Sequence, residues 1–288
     1  MKEKIGIIGY GFVGSALDRG FNKNIQKYLI DPKLKTSISD LKEFDPNFIF
    51  ICLPTPMNND GSQDCSIINE VVHELSIYFP SKIIIIKSTV LPNHLDKLSK
   101  IHPNIVYNPE FLREKHADID FKKTNNLILG GANELSKKIV DLYKNHSVCD
   151  IDDTKIYHMD LKSASLIKYS INSFLASKVI FFNQLKLIFD ELECEIEWVD
   201  FIESISADSR VGDTHMDVPG NDGKLGFGGA CFPKDISALY DLSKHLESEF
   251  SLLREVILKN EQIRNSLEDN LEDREREQNI NFKTLHRK

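Results

Sequence analysis

The decapeptide GFGGACFPKD, residues 226–235, sets Cys231 behind three glycines and just ahead of Lys234 and Asp235. A structural cysteine sits among aliphatic residues, whereas this one sits in a flexible, charged stretch. The glycines permit positive φ angles and let a ligand come close to the backbone. Lys234 and the helix start announced by PKDISAL favour the thiolate over the thiol, and a thiolate attacks carbonyl carbon. Asp235 can serve as a base or orient a water. The alternative is that Cys231 is a small residue in a loop, and the decapeptide by itself leaves both open.

A second constellation lies near the N-terminus, where Gly9-Tyr10-Gly11-Phe12-Val13-Gly14 spells G-x-G-x-x-G. It follows the apolar run KIGII and opens the helix-like GFVGSALDRGF, and Asp31 ends the next apolar run. In that setting Gly9 makes the turn, Gly11 lets a pyrophosphate approach, and Gly14 lets helix and strand pack closely. Phe12 and Val13 occupy the helix start that faces the phosphates. Asp31 accepts hydrogen bonds from a ribose and repels a 2′-phosphate, so the expected cofactor is NAD rather than NADP, although Lys33 and Lys35 stand beside it. A glycine turn without nucleotide is the alternative. A reactive cysteine together with NAD points to covalent oxidation of an aldehyde: the thiolate adds, hydride leaves to the cofactor, and a thioester awaits water.

These residues need elements to hold them. The first 150 residues alternate short apolar runs (KIGIIGYG, KYLIDP, FIFICLPTP, KIIIIKSTV, NIVYNPEF, NLILGG) with amphipathic spacers. Continuous apolar runs fit a parallel sheet covered on both faces. The fold class is α/β, a Rossmann-like doubly wound parallel sheet, followed by an all-α domain built on a long helix. That helix is expected over 160–193, one helix or two, where apolar residues recur at three- and four-residue steps and Gly and Pro are absent. It is too long for a small domain to bury, so a second copy of the chain is expected to cover part of it. The division expected is an NAD-binding domain over 1–157, a helical dimerisation domain with the cysteine loop over 158–265, and a solvated or frayed charged tail over 266–288.

A net charge of −8 over 288 residues argues against a nucleic-acid coat or an anionic membrane surface. No apolar run approaches the roughly 20 residues that span a bilayer, and the N-terminus lacks the pattern of a signal peptide, so a cytoplasmic protein is expected. The five cysteines include no C-x-x-C pair, which favours neither a disulfide framework nor a metal site. Cys52 and Cys65 read as ordinary small residues.

Taken together, IGIIGYGFVG, ICLPTPMNNDGSQD, KSTV, NPEFLRE and GFGGACFPKD, with LIKYSIN and SRVGD, resemble the UDP-glucose/GDP-mannose dehydrogenase family and occur in its order. The resemblance implies an NAD-dependent enzyme that oxidises the C6 alcohol of a nucleotide sugar twice, to the uronate. The substrate it implies is UDP-glucose first and GDP-mannose second, and the assembly a homodimer through the long helix. It makes Cys231 the nucleophile. Lys168, Asn172 and Asp235 hold water and sugar oxygens, and Thr89 hydrogen-bonds that water near the nicotinamide. Glu110 is the base that hydrolyses the thioester, supported by Glu114. Pro54, Thr55, Thr89 and Glu114 join the cofactor site. Phe111, Leu112, Arg113, Gly228 and Lys234 join the substrate site, and Arg210 reaches the substrate of a neighbouring subunit. Glu110 and Glu114, four apart, would share a face if PEFLRE were helical, and Lys168 and Asn172 have the same spacing.

The family's chains continue into a further domain that binds the nucleotide, so a short form is expected here. Lys115 stands where the family often has Gly, and Ser165 where a Glu is common. A β-hydroxyacid-type dehydrogenase, with one two-electron step and no cysteine, is an alternative reading. An NAD-binding member that needs a partner chain is another.

Overall fold

Runs such as FIFI and IIII are apolar at every position and can be satisfied only where both sheet faces are covered. The computed structural model describes residues 2–113, 116–264 and 271–285. It divides into two units, one of residues 1–55 and 65–168, the other of 56–64 and 169–288.

The first unit is built on a seven-stranded sheet ordered β2-β1-β3-β4-β5-β6-β7. Its strands are β1 (Glu3–Ile8), β2 (Ile25–Ile30), β3 (Phe48–Ile51), β4 (Ile83–Ile86), β5 (Ile105–Tyr107), β6 (Asn126–Gly130) and β7 (Lys155–Met159). All neighbours run parallel except β5 and β6, whose antiparallel pairing rests on Tyr107 opposite Gly130. Alternate side chains divide the core between the two faces. Ile49, Ile51, Ile84 and Ile86 join one cluster, and Phe48, Phe50, Ile83 and Ile85 the other.

Helices cover both clusters. These are α1 (Phe12–Gly20), the short α2 (Leu41–Phe44), α3 (Ser66–Tyr78), α4 (Pro92–Ile101), α5 (Ala117–Lys122) and α6 (Asn133–His146). Leu41, the α3 residues Ile68, Val72 and Leu75, and the α4 residues Leu95 and Leu98 pack on the first cluster. Leu17 of α1, Phe121 of α5 and Ile139 and Leu142 of α6 pack on the second. The order reverses at β1, flanked by β2 and β3, which is the switch point where such sheets bind ligands beyond the strands' carboxyl ends.

The long helix is one uninterrupted element, α7 (Leu161–Glu191), opened by Asp160, whose carboxylate accepts the Ser163 amide at 3.0 Å. Its first turns belong to the first unit and the rest to the second. The second unit adds α8 (Trp198–Ser206), α9 (Phe232–His245), α10 (Ser251–Arg264) and α11 (Asp273–Glu277). Phe182 of α7, Ile202 of α8 and Met216 form a small core, and α9 packs on α10. The boundary therefore falls inside α7 at Lys168 and Tyr169 rather than before it, and residues 56–64 belong to the second unit. Within the described residues 271–285, expected from the sequence to belong to a solvated tail, Glu275, Ile280, Phe282 and Thr284 are buried. No described helix is long and apolar enough to cross a membrane.

Candidate active site

Among the residues singled out in the first unit, Gly9 to Gly14, Asp31, Pro54, Thr55, Thr89 and Glu110 follow the carboxyl ends of strands β1 to β5. After β1, Gly9 has φ +90°, and a Cβ there would lie 2.4 Å from the Cys52 carbonyl oxygen. A Cβ on Gly14 would lie 1.9 Å from the Gly9 carbonyl oxygen, whereas one on Gly11 would meet nothing within 4 Å. Gly9 and Gly14 are thus glycines because the turn folds on itself, whereas the space beside Gly11 is open. Gly11 is also the N-cap of α1 and brings no side chain between the helix N-terminus and a phosphate.

Asp31, at the end of β2, accepts the amides of Tyr10 at 2.8 Å and Lys33 at 2.9 Å. A carboxylate offers roughly four lone-pair sites, so acceptor capacity remains for ribose hydroxyls. After β3, Pro54 is exposed and the buried Thr55 donates its hydroxyl to the Thr89 carbonyl at 3.0 Å, tying this turn to the end of β4. The glycine turn, the open approach at Gly11 and the acceptor at Asp31 fit a dinucleotide.

After β5, residues 108–113 form neither helix nor strand. The Glu110 carboxylate accepts the Leu112 amide at 2.6 Å, a local bond that competes with helix formation. Lys168 reaches into this turn. Its Nζ donates to the Glu110 carbonyl at 2.6 Å, lies 3.9 Å from Glu110 Oε1, and sits 4.8 Å from the centre of the Phe111 ring. Phe111 and Leu112 pack on the two core clusters. Arg113 forms a fork with Asp120 at the surface. Glu114 and Lys115 lie outside the described residues. Ser165 is buried and donates to the Val90 carbonyl at 2.6 Å, so a hydroxyl fits where a longer acid was the pattern.

In the second unit Cys231 is exposed and serves as the N-cap of α9. Asp235, 1% exposed, accepts from Asn172 Nδ2 at 2.6 Å and from the buried Lys234 at 2.6 Å. Gly228 packs against Arg264 and Glu275. Arg210 is bound to Asp208 at 2.6 Å with its side chain 87% exposed.

Residues 15–147 match the NAD-binding domain of the UDP-glucose/GDP-mannose dehydrogenase family, and residues 162–262 its central domain. The chain belongs to this family. It is 32% identical to a UDP-glucose 6-dehydrogenase of Rickettsia bellii over 221 residues, 74% of this chain and 49% of that one. It is 28% identical to the UDP-glucose 6-dehydrogenase YwqF of Bacillus subtilis over 259 residues, 85% of this chain and 56% of that one. It therefore spans about half the length of these curated relatives. A UDP-glucose dehydrogenase structure from Pyrobaculum islandicum superposes with a TM-score of 0.74 at 24% identity, covering 91% of this chain and 68% of that one, which is a likeness of fold.

Lys87 of this dehydrogenase-family chain carries no motif that marks it, yet it sits at the end of β4 beside the site. It follows four buried isoleucines and is itself buried, donating to Asn108 Oδ1 at 3.0 Å; the Tyr143 hydroxyl donates to the same oxygen at 2.9 Å. Asn108 in turn donates to the Ile128 carbonyl at 2.9 Å, so Lys87 anchors the strand end that carries Glu110. Burial pushes the Lys87 pKa down to about 8 from 10.5. The unfolded chain therefore holds this proton to higher pH than the folded one, and stability rises between about pH 8 and 10.5. The ceiling of the effect is about 3 kcal/mol. We expect the urea midpoint of the native chain to rise across that interval relative to Lys87→Met. Parallel pH profiles for the two would contradict the assignment. Burial likewise pushes the Cys52 thiol up to about 12 and raises that of Cys149, which disfavours the thiolate at both.

Proposed function

We propose that this chain catalyses the NAD-dependent, four-electron oxidation of a nucleotide sugar's C6 alcohol to the uronate, with UDP-glucose as first candidate and GDP-mannose as second. The observation that carries the proposal is the start of α9. There an exposed Cys231 precedes, by one helical turn, a buried carboxylate fixed by Asn172 and Lys234.

One alcohol, two NAD and one water give one carboxylate, two NADH and three protons. Gly9, Gly11, Phe12, Val13, Gly14, Asp31, Pro54, Thr55 and Thr89 would hold NAD, which when bound would supply the hydride acceptor for both oxidations. The thiolate of Cys231 adds to the aldehyde carbon to form a thiohemiacetal, and loss of a second hydride leaves a thioester. Glu110 takes the proton of the water that cleaves it, returning the thiol and releasing the acid. Lys168, Asn172 and Asp235 hold the water and stabilise the developing alkoxide. The burial of Lys234 against Asp235 supports a role at the cysteine loop over one at substrate phosphates. The exposure of Arg210 supports its reaching a neighbouring subunit.

That subunit we place on α7, where Phe174, Phe181 and Ile188 recur every seven residues and are 66%, 61% and 57% exposed. Burying such side chains stabilises an association by roughly 1.5–3 kcal/mol each. Phe181→Glu is therefore expected to shift the chain toward monomer in sedimentation. An unchanged sedimentation coefficient would count against this face.

The function is tested by NADH formation with NAD and each nucleotide sugar, alongside calorimetric NAD binding. NAD binding without NADH on either substrate would contradict it.

A further inference from the structure

Five backbone groups of residues 226–229 are held by side chains from three helices. Asn183 of α7 accepts the Gly226 amide at 2.9 Å. Asn260 of α10 accepts the Phe227 amide at 2.8 Å and donates to the Phe227 carbonyl at 3.0 Å. Arg264, also of α10, donates to the Gly226 carbonyl at 2.9 Å and to Asp222 at 2.8 Å. Glu275 of α11 accepts the Gly229 amide at 2.7 Å through Oε1, while its Oε2 accepts the Glu272 amide at 2.8 Å. The acid thus joins the first turn of its own helix to the cysteine loop.

Asn260, Arg264 and Glu275 are each at most 3% exposed. Burying charges costs several kcal/mol unless their bonds are well made, and packed apolar residues of similar volume often serve stability as well. Such bonding fixes the backbone groups that it holds, whatever it adds to stability. The loop glycines conform to it. A Cβ on Gly228 would lie 2.8 Å from both Arg264 Nη1 and Glu275 Oε1, and Gly226, at φ +70°, would place one 2.5 Å from Asn260 Oδ1. The segment that carries Glu275 is itself anchored, because Ile280 and Phe282 are buried and Thr284 donates to Glu261 of α10 at 2.7 Å.

We propose that Asn260, Arg264 and Glu275 form a clamp that positions Cys231, so that the C-terminal segment, residues 272–285, governs the reactivity of the thiol. Its catalytic consequence rests on Cys231 being the nucleophile; its effect on the thiol does not. Asn260, Arg264 and Glu275 are positioning residues, acting through the loop backbone.

The test is the rate of iodoacetamide labelling of Cys231 in the full chain, resolved by peptide mass, with exposed Cys194 as internal reference. Glu275→Ala is expected to change the Cys231 rate by about tenfold or more, the scale of a lost charge-assisted hydrogen bond, and to leave Cys194 unchanged. Glu275→Gln, which keeps an acceptor for the Gly229 amide, is expected to stay near the native rate. Equal Cys231 rates in native and Ala chains, equal changes at Cys231 and Cys194, or a Gln variant as altered as Ala would each overturn the clamp. Should the Ala variant not fold, hydrogen exchange in the native chain decides. The Phe227 and Gly229 amides are expected to exchange as slowly as the interior of α10, and fast exchange at either overturns the proposal. A chain inactive on every nucleotide sugar would still give these results, so failure of the clamp and failure of the dehydrogenase reading are separable.

Discussion

Cys231→Ser is expected to lower uronate formation by about 10³-fold or more, the scale on which removing a catalytic nucleophile acts. A hydroxyl is a far weaker nucleophile than a thiolate at neutral pH. Any ester it formed would also hydrolyse more slowly than a thioester. The thiol is exposed, so the exchange changes packing little, and the melting temperature should move within the range of ordinary surface substitutions. NAD affinity should be unchanged, because the cofactor residues we assign belong to the first unit. Uronate measured by chromatography, with NAD affinity by calorimetry, separates the two effects. A serine variant that still forms uronate within tenfold of the native rate would remove the thioester from the account.

Asp235→Ala is the second large effect, and it acts on folding as well as on chemistry. Asp235 and Lys234 are both buried and joined at 2.6 Å, and Asn172 donates to the second carboxylate oxygen at 2.6 Å. Removing the acid leaves an ammonium in the interior without that carboxylate, which for buried pairs costs about 3–5 kcal/mol. Lys234→Met combined with Asp235→Ala should recover part of this, since the double variant no longer buries the charge. Urea unfolding of the two single variants and the double gives the coupling. A double variant as unstable as the sum of the singles would show that the pair does not act as a unit.

Much of this was legible in the chain. FIFI and IIII announce a sheet covered on both faces because no position in either run could meet water. The glycine turn after β1 is readable for the same reason that it is needed: Gly9 and Gly14 have no room for a Cβ. Other features left no local trace. Glu275 lies in EDREREQ, whose composition is that of a solvated helix, and what buries it is bonding to the amide of Gly229, far earlier in the chain. Glu110 and Glu114 stand at helical spacing, yet the Glu110 carboxylate bonds the Leu112 amide and residues 108–113 form no helix. The antiparallel step from β5 to β6 hangs on one residue pair, too little to alter an apolar pattern. Lys87 directly follows a buried strand, where a lysine ordinarily marks the exit to solvent; its neighbour Asn108 explains why this one stays inside.

We propose that one chain carries a single sugar through two oxidations, the second of them on Cys231. It is tested most directly by letting a limiting amount of UDP-glucose, or of GDP-mannose, react to completion with excess NAD and counting NADH. Two NADH are expected for each sugar consumed, with uronate as product. One NADH per sugar would contradict it and assign the chain a single-step dehydrogenase chemistry.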